Sequence, residues 1–87
     1  MASLKVSVVG ADQEIWSGTA SLVIARTVEG EIGILPGHEP MLAILAEGEV
    51  RVTADNGQKI VATAADGFLS VENNSVTIVA GNASLVK

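Results

Sequence analysis

Few side chains in this protein could do chemistry. His38 is the sole histidine and there is no cysteine, so neither a histidine cluster nor a thiolate set is available to hold a metal ion. With Ser17, Ser21 or Ser70 and an acid, His38 could formally build a Ser–His–acid nucleophile, but no nucleophile-elbow pattern supports it. Glu29 with Glu31, and Glu47 with Glu49, are acids two residues apart, a spacing that puts each pair on one face of a strand. General acid catalysis also needs a desolvated pocket, and acids flanked by glycine read instead as a solvated rim. Gly30, Gly33 and Gly37 do not form a phosphate loop, because no Lys-Ser/Thr follows them and no helix begins there. The reading is no catalytic residue, no metal and no cofactor.

The stretch "VEGEIGILPGHEP" (28–40) holds both prolines, the histidine, three of nine glycines and three of ten acids, and no lysine or arginine. Glycines 30 and 33 allow tight turning, while Pro36 and Pro40 fix φ near −65°, and Pro36-Gly37 is a turn pair. Such stiffness lowers the entropy lost when a partner binds. A rigid acidic bend carrying the Ile34-Leu35 step would suit a protein partner with a basic or polar surface. A surface turn selected for rigidity alone fits equally well, and the residues themselves leave both readings open.

The elements that would position these residues are short strands. Turn signals recur every eight to twelve residues: Gly10-Ala11-Asp12, Glu29-Gly30, Pro36-Gly37, Glu47-Gly48, Asp55-Asn56-Gly57, Ala65-Asp66-Gly67, Asn73-Asn74 and Gly81-Asn82. Between them, apolar residues alternate with polar ones, as in Leu4, Val6 and Val8 or Val50 and Val52. This pattern predicts an all-β protein, a flattened sandwich or barrel of about ten short, mostly antiparallel strands. The segments are 3–10, 14–19, 21–26, 31–35, 41–46, 48–54, 58–64, 67–72, 75–80 and 83–86. Met41–Ala46 is uniformly apolar, so its period assigns nothing; it is placed as a strand. "ADNGQ" predicts a hairpin, because Asn-Gly accepts the positive φ angles of a tight primed turn. Trp16 is expected to anchor the core or its edge. No segment has ten residues of helical periodicity with a cap.

At 87 residues there is room for one domain, 1–87. Hydrophobic residues reach 48%, yet the only aromatics are Trp16 and Phe68, too few for stacking on bases. The formal net charge of −5 repels nucleic acid and anionic lipid alike. No apolar run approaches the roughly 18–20 residues that span a bilayer, and "MASLKV" lacks the features of a signal peptide. A cytoplasmic compartment is expected.

"GEIGILPGHEP" (30–40) resembles the signature of the N-terminal β-sandwich domain of the ε subunit of F-type ATP synthases (δ in mitochondria). "VSVVGADQEIWSG" (6–18), "GEVRV" (48–52) and "DGFLSVENNSVTIVA" (66–80) extend the resemblance over nearly the whole chain. Trp16-Ser17-Gly18, with the apolar variety elsewhere, resembles actinobacterial members. The resemblance implies a non-catalytic subunit at the foot of the central rotor stalk, coupling ion-driven rotation of the c ring through γ to ATP synthesis. It implies a peripheral protein on the cytoplasmic face of the cell membrane, reached through protein and without lipid insertion. It assigns Glu29, Gly30, Glu31, Ile32 and Gly33 to the basic loops of the c ring, and His38, Met41, Leu42 and Glu49 to γ. Members commonly continue into a C-terminal helical hairpin that can inhibit hydrolysis or bind ATP. The sequence stops at Lys87, where that hairpin would begin, so no nucleotide is expected, and Leu85-Val86 would be exposed. A stand-alone small β-barrel that binds a ligand or acts as a carrier is the competing class; a carrier would need a modified lysine at a hairpin tip, and Lys59 follows "DNGQ" instead of occupying one.

Overall fold

The alternation of small apolar and polar residues yields strands throughout the computed structural model, which describes residues 3–11 and 13–86. Asp12, part of one expected turn, and Lys87 lie outside the described residues. Seven strands follow in order: β1 (Leu4–Val9), β2 (Glu14–Thr27), β3 (Gly30–Ile34), β4 (Met41–Ile44), β5 (Gly48–Ala54), β6 (Lys59–Glu72) and β7 (Ser75–Val86). The all-β class agrees with the sequence reading; the strand count does not. Segments 14–19 and 21–26 are halves of β2, 58–64 and 67–72 halves of β6, and 75–80 and 83–86 halves of β7.

Three bent strands explain the discrepancy. In β2 the register shifts between Ala20 and Leu22, a bulge that turns the strand without ending it. β6 and β7 turn a corner together while keeping their ladder, with Ala65 opposite Asn82 and Gly67 opposite Ala80. Asp66 takes a left-handed φ of 59° there. A Cβ on Gly67 would lie 1.7 Å from the carbonyl oxygen of Val79, so only glycine permits the approach of the two strands. Glycine and Asp-Gly signals in the sequence thus mark bends as well as breaks.

Because β2, β6 and β7 each bend, they serve two layers. One layer runs β3, the second half of β2, β5, the first half of β6 and the second half of β7. The other runs the first half of β2, β1, the first half of β7, the second half of β6, and β4. These are termed the first and second sheets. All pairings are antiparallel except β1 with β7. A bridge between Thr27 and Leu45 ties the edge of the first sheet to the end of β4.

The core between the sheets is aliphatic. Leu4, Val6 and Val8 of β1 meet Val23 and Ala25 of β2, Val50 and Val52 of β5, Leu69 and Val71 of β6, and Val76 and Ile78 of β7. Trp16 packs against this cluster from its margin, as an edge anchor, with its ring over Gly18.

Two hairpin turns reverse the sequence expectation. At Asp55-Asn56-Gly57 only Gly57 has a positive φ, 87°, and the Gly57 N–H donates to the Ala54 carbonyl at 2.9 Å. Beyond the Thr53–Lys59 pair, the Ala54 N–H donates to the Gln58 carbonyl at 2.8 Å, which leaves a three-residue loop, the type I turn with a trailing left-handed glycine. The primed turn occurs instead at Asn73-Asn74, where both residues have positive φ, 49° and 61°, between the directly paired Glu72 and Ser75.

Candidate docking faces

The period of two divides the Ile34-Leu35 step. Ile34 is fully buried as the last residue of β3, and Leu35 beside it is exposed. Leu35 opens a β-turn in which the His38 N–H donates to the Leu35 carbonyl at 3.1 Å. Pro36 and Gly37 are its central residues, and the φ of 89° at Gly37 makes it a type II turn, the kind that requires Gly at its third position.

β4 leaves this loop along the edge of the second sheet and pairs with β6, Leu42 opposite Ser70 and Ile44 opposite Phe68. Met41 packs against the core, and Leu42 and Ile44 therefore point outward. Phe68 is opposite Val79 in β7, and Val79 opposite Val9 in β1, giving an apolar row across the outside of this sheet. Leu42 is 71% exposed, Val28 64%, Ile44 57% and Phe68 39%. Val28 belongs to the same patch, because its N–H donates to the Ile44 carbonyl at 3.0 Å.

Val28 and Glu29 form the turn between β2 and β3. Thr27, buried, holds it: its Oγ1 donates to the Gly30 carbonyl at 2.8 Å and accepts the Glu29 N–H at 3.2 Å. Glu29 and Glu31 are exposed, and Ile32 packs inward on the core. Of the residues expected to meet the c ring, Glu29, Gly30, Glu31 and Gly33 reach the surface; the Ile32 side chain is half-buried.

The reading of this stretch as acid-only needs qualification, since its strand partner supplies a cation. Arg26 of β2 stands opposite Glu31, and Arg26, Glu31, Gly48, Glu49 and Arg51 line one open recess on the outside of the first sheet. The Arg26 stem lies over Gly48, where a Cβ would come within 2.9 Å of its Cδ. Arg51 donates to Glu49 Oε1 at 3.1 Å, both side chains being exposed, so that pair contributes about 0–1 kcal/mol.

The four residues expected to face γ are not gathered in one place. His38 and Leu42 belong to the loop and strand at the edge of the second sheet, Met41 faces the core, and Glu49 is on β5 in the first. His38 is half-buried, and its Nδ1 lies 2.7 Å from its neighbour's carbonyl, Glu39 O. Among the described residues it has no hydrogen bond to Ser17, Ser21 or Ser70 or to a carboxylate. Lys59 sits in β6 opposite Thr53, beyond the hairpin tip.

Sequence reasoning missed Ile44, Phe68, Val79 and Val9. Phe68 carried a signal: in "FLSVE" it alternates with core Leu69 and Val71 and so shares the side of Ser70 and Glu72. A large apolar residue on the polar side of its strand is informative. Ile44 carried none, because every residue of Met41–Ala46 is apolar.

Residues 3–86 match the family model for the β-sandwich domain of the ATP synthase delta/epsilon chain. The ATP synthase epsilon chain of Micrococcus luteus is 54% identical over 85 residues, an alignment spanning 98% of this chain and 93% of that one. That of Rhodococcus erythropolis is 50% identical over 88 residues, all of this chain and 72% of the relative. Among solved structures, a chain of the Euglena gracilis mitochondrial ATP synthase, in an OSCP/F1/c-ring assembly, superposes with a TM-score of 0.90 at 29% identity. The match covers 98% of this chain and 54% of the Euglena one, so this chain spans about half the length of that neighbour. With matches over its full length to a family of non-catalytic subunits, the chain belongs to the delta/epsilon family of ATP synthase and has the fold of its β-sandwich domain.

Proposed function

We propose that this chain is a rotor subunit in the central stalk of a proton-translocating ATP synthase, docking on γ with the outside of its second sheet and on the c ring with its acidic turn. The observation that carries the reading is the exposed apolar patch of Leu42, Ile44, Phe68 and Val28, continuous with Glu29 through the Val28 turn. Apolar patches of this kind mark surfaces covered by a partner, and fully burying each such side chain contributes about 1.5–3 kcal/mol. Glu29, next to Val28 at the margin of the patch, and Glu31, two residues further along in the edge strand β3, suit basic loops, so the turn brings an anionic contact up to the apolar one. The Euglena neighbour comes from an assembly that includes F1 and the c ring, which supports complex partners of this kind.

In this role the protein transforms no molecule. It transmits torque, which requires two attachments that do not slip and a scaffold that does not bend. The aliphatic core supplies the scaffold. As part of the synthase it would sit at the cytoplasmic face of the cell membrane, held there by protein contacts. Glu49, expected at γ from the sequence, fits better with Glu31 and the two arginines on the first sheet.

Co-purification tests the proposal. A tagged form of this chain, offered γ and detergent-solubilised c ring from one organism, should recover both, γ alone in high salt. Recovery of neither would contradict it.

A further inference from the structure

We infer that Asn74 is a positioning residue for the γ-facing loop: its side chain fixes the type II turn at Pro36-Gly37 and thereby holds Leu35, His38 and the start of β4 in the docked geometry. The inference rests on the docking reading above and adds a residue that no site assignment includes.

Asn74 occupies the second position of the primed turn between β6 and β7, with φ 61°. Its carbonyl accepts the Lys5 N–H of β1 at 2.7 Å, and its side-chain Oδ1 accepts the Gly37 N–H, 37 residues away in sequence, at 2.7 Å. Among the described residues this is the only hydrogen bond joining residues 36–39 to another part of the sandwich. One residue thus ties together β1, the β6–β7 turn and the loop that leads into β4.

The bond selects a backbone conformation. Type I and type II turns differ by a rotation of the peptide between their two central residues of roughly 150°. That rotation reverses the direction of the Gly37 N–H. Only the type II form aims it at Asn74, so the acceptor biases the loop toward the observed turn. The loop has few other restraints, since Leu35, Gly37, Glu39 and Pro40 are all exposed. A loop held in its bound form loses less freedom on docking.

Two substitutions in the intact chain separate the side chain's role from the backbone's. N74G keeps the left-handed turn and removes the acceptor; N74D keeps both, since Asp tolerates that conformation too. In N74G, the Gly37 amide should exchange about two- to tenfold faster, the range set by one net hydrogen bond, while Leu69 and Ile78 amides stay protected. Affinity for purified γ should fall by a similar factor, and N74D should restore both. Unchanged Gly37 exchange in N74G would overturn the proposed bond. A loosened loop with unaltered γ affinity, or an N74D variant that behaves like N74G, would overturn the positioning role. Should the unsubstituted chain fail to bind γ, the docking reading itself falls, and Gly37 exchange still shows whether Asn74 sets the turn.

Discussion

The outsides of the two sheets are made largely by the same strands, yet they present opposite chemistry. On the second sheet, β4, β6, β7 and β1 line up Ile44, Phe68, Val79 and Val9 with Leu42 alongside. On the first, β2, β3 and β5 bring together Arg26, Glu31, Glu49 and Arg51. β6 contributes to both, showing Phe68 on one and Thr63 on the other, where Thr63 Oγ1 lies 3.1 Å from Ser84 Oγ. Among the described residues the charged face carries one ion pair, Arg51 with Glu49, and its charged side chains are exposed to solvent. The apolar face gains nothing from water and is improved by burial, so the two differ in how much a partner changes them.

The corner where β6 and β7 pass between sheets must hold if the faces are to keep their relation. Gly67→Ala drives a Cβ into the Val79 carbonyl and should cost about 3 kcal/mol or more. In a domain of this size that is a drop in Tm of about 12 °C or more, measurable by calorimetry. Next in size is the apolar face: Leu42→Glu combined with Ile44→Glu should weaken γ binding about 100-fold or more, from the burial of two aliphatic side chains. The same variant should change Tm by only a few degrees, because both side chains are already exposed. If γ titrations are unaltered, the contrast between the faces carries no functional meaning.

The charged side gives smaller effects. Glu31→Lys should lower affinity for the c ring about tenfold in low salt, with the loss fading as salt screens it over roughly 8–10 Å. An effect that persists in 1 M salt would argue that Glu31 is buried in the contact, contrary to a rim role. Smallest is Arg51→Ala, which removes an exposed ion pair. Its stability change should stay within about 1 kcal/mol, and γ binding should not move.

Much of this was legible from residue order alone. Val and Ile alternation revealed the layers, and the ten expected segments correspond to the four unbent strands and the six halves of the three bent ones. The corners were not legible, because Asp66-Gly67 and Gly81 look the same whether they end a strand or bend it. What decides is the close approach of Gly67 to Val79, a tertiary contact. Arg26 is not legible as the companion of Glu31 from residues 28–40 alone, because it lies outside them; the two-residue turn at Val28-Glu29 is what sets residue 26 opposite residue 31. The apolar face stayed hidden for a different reason. Its row crosses four strands, and only pairing register puts Ile44, Phe68, Val79 and Val9 side by side.

The most direct test is the footprint of purified γ on this protein, read residue by residue from amide exchange or chemical-shift change. The account predicts protection across Leu42, Ile44, Phe68 and Val79, spreading to His38, with Arg51 and Thr63 unaffected. A footprint centred on Arg51 and Thr63, or no footprint at saturating γ, would contradict it.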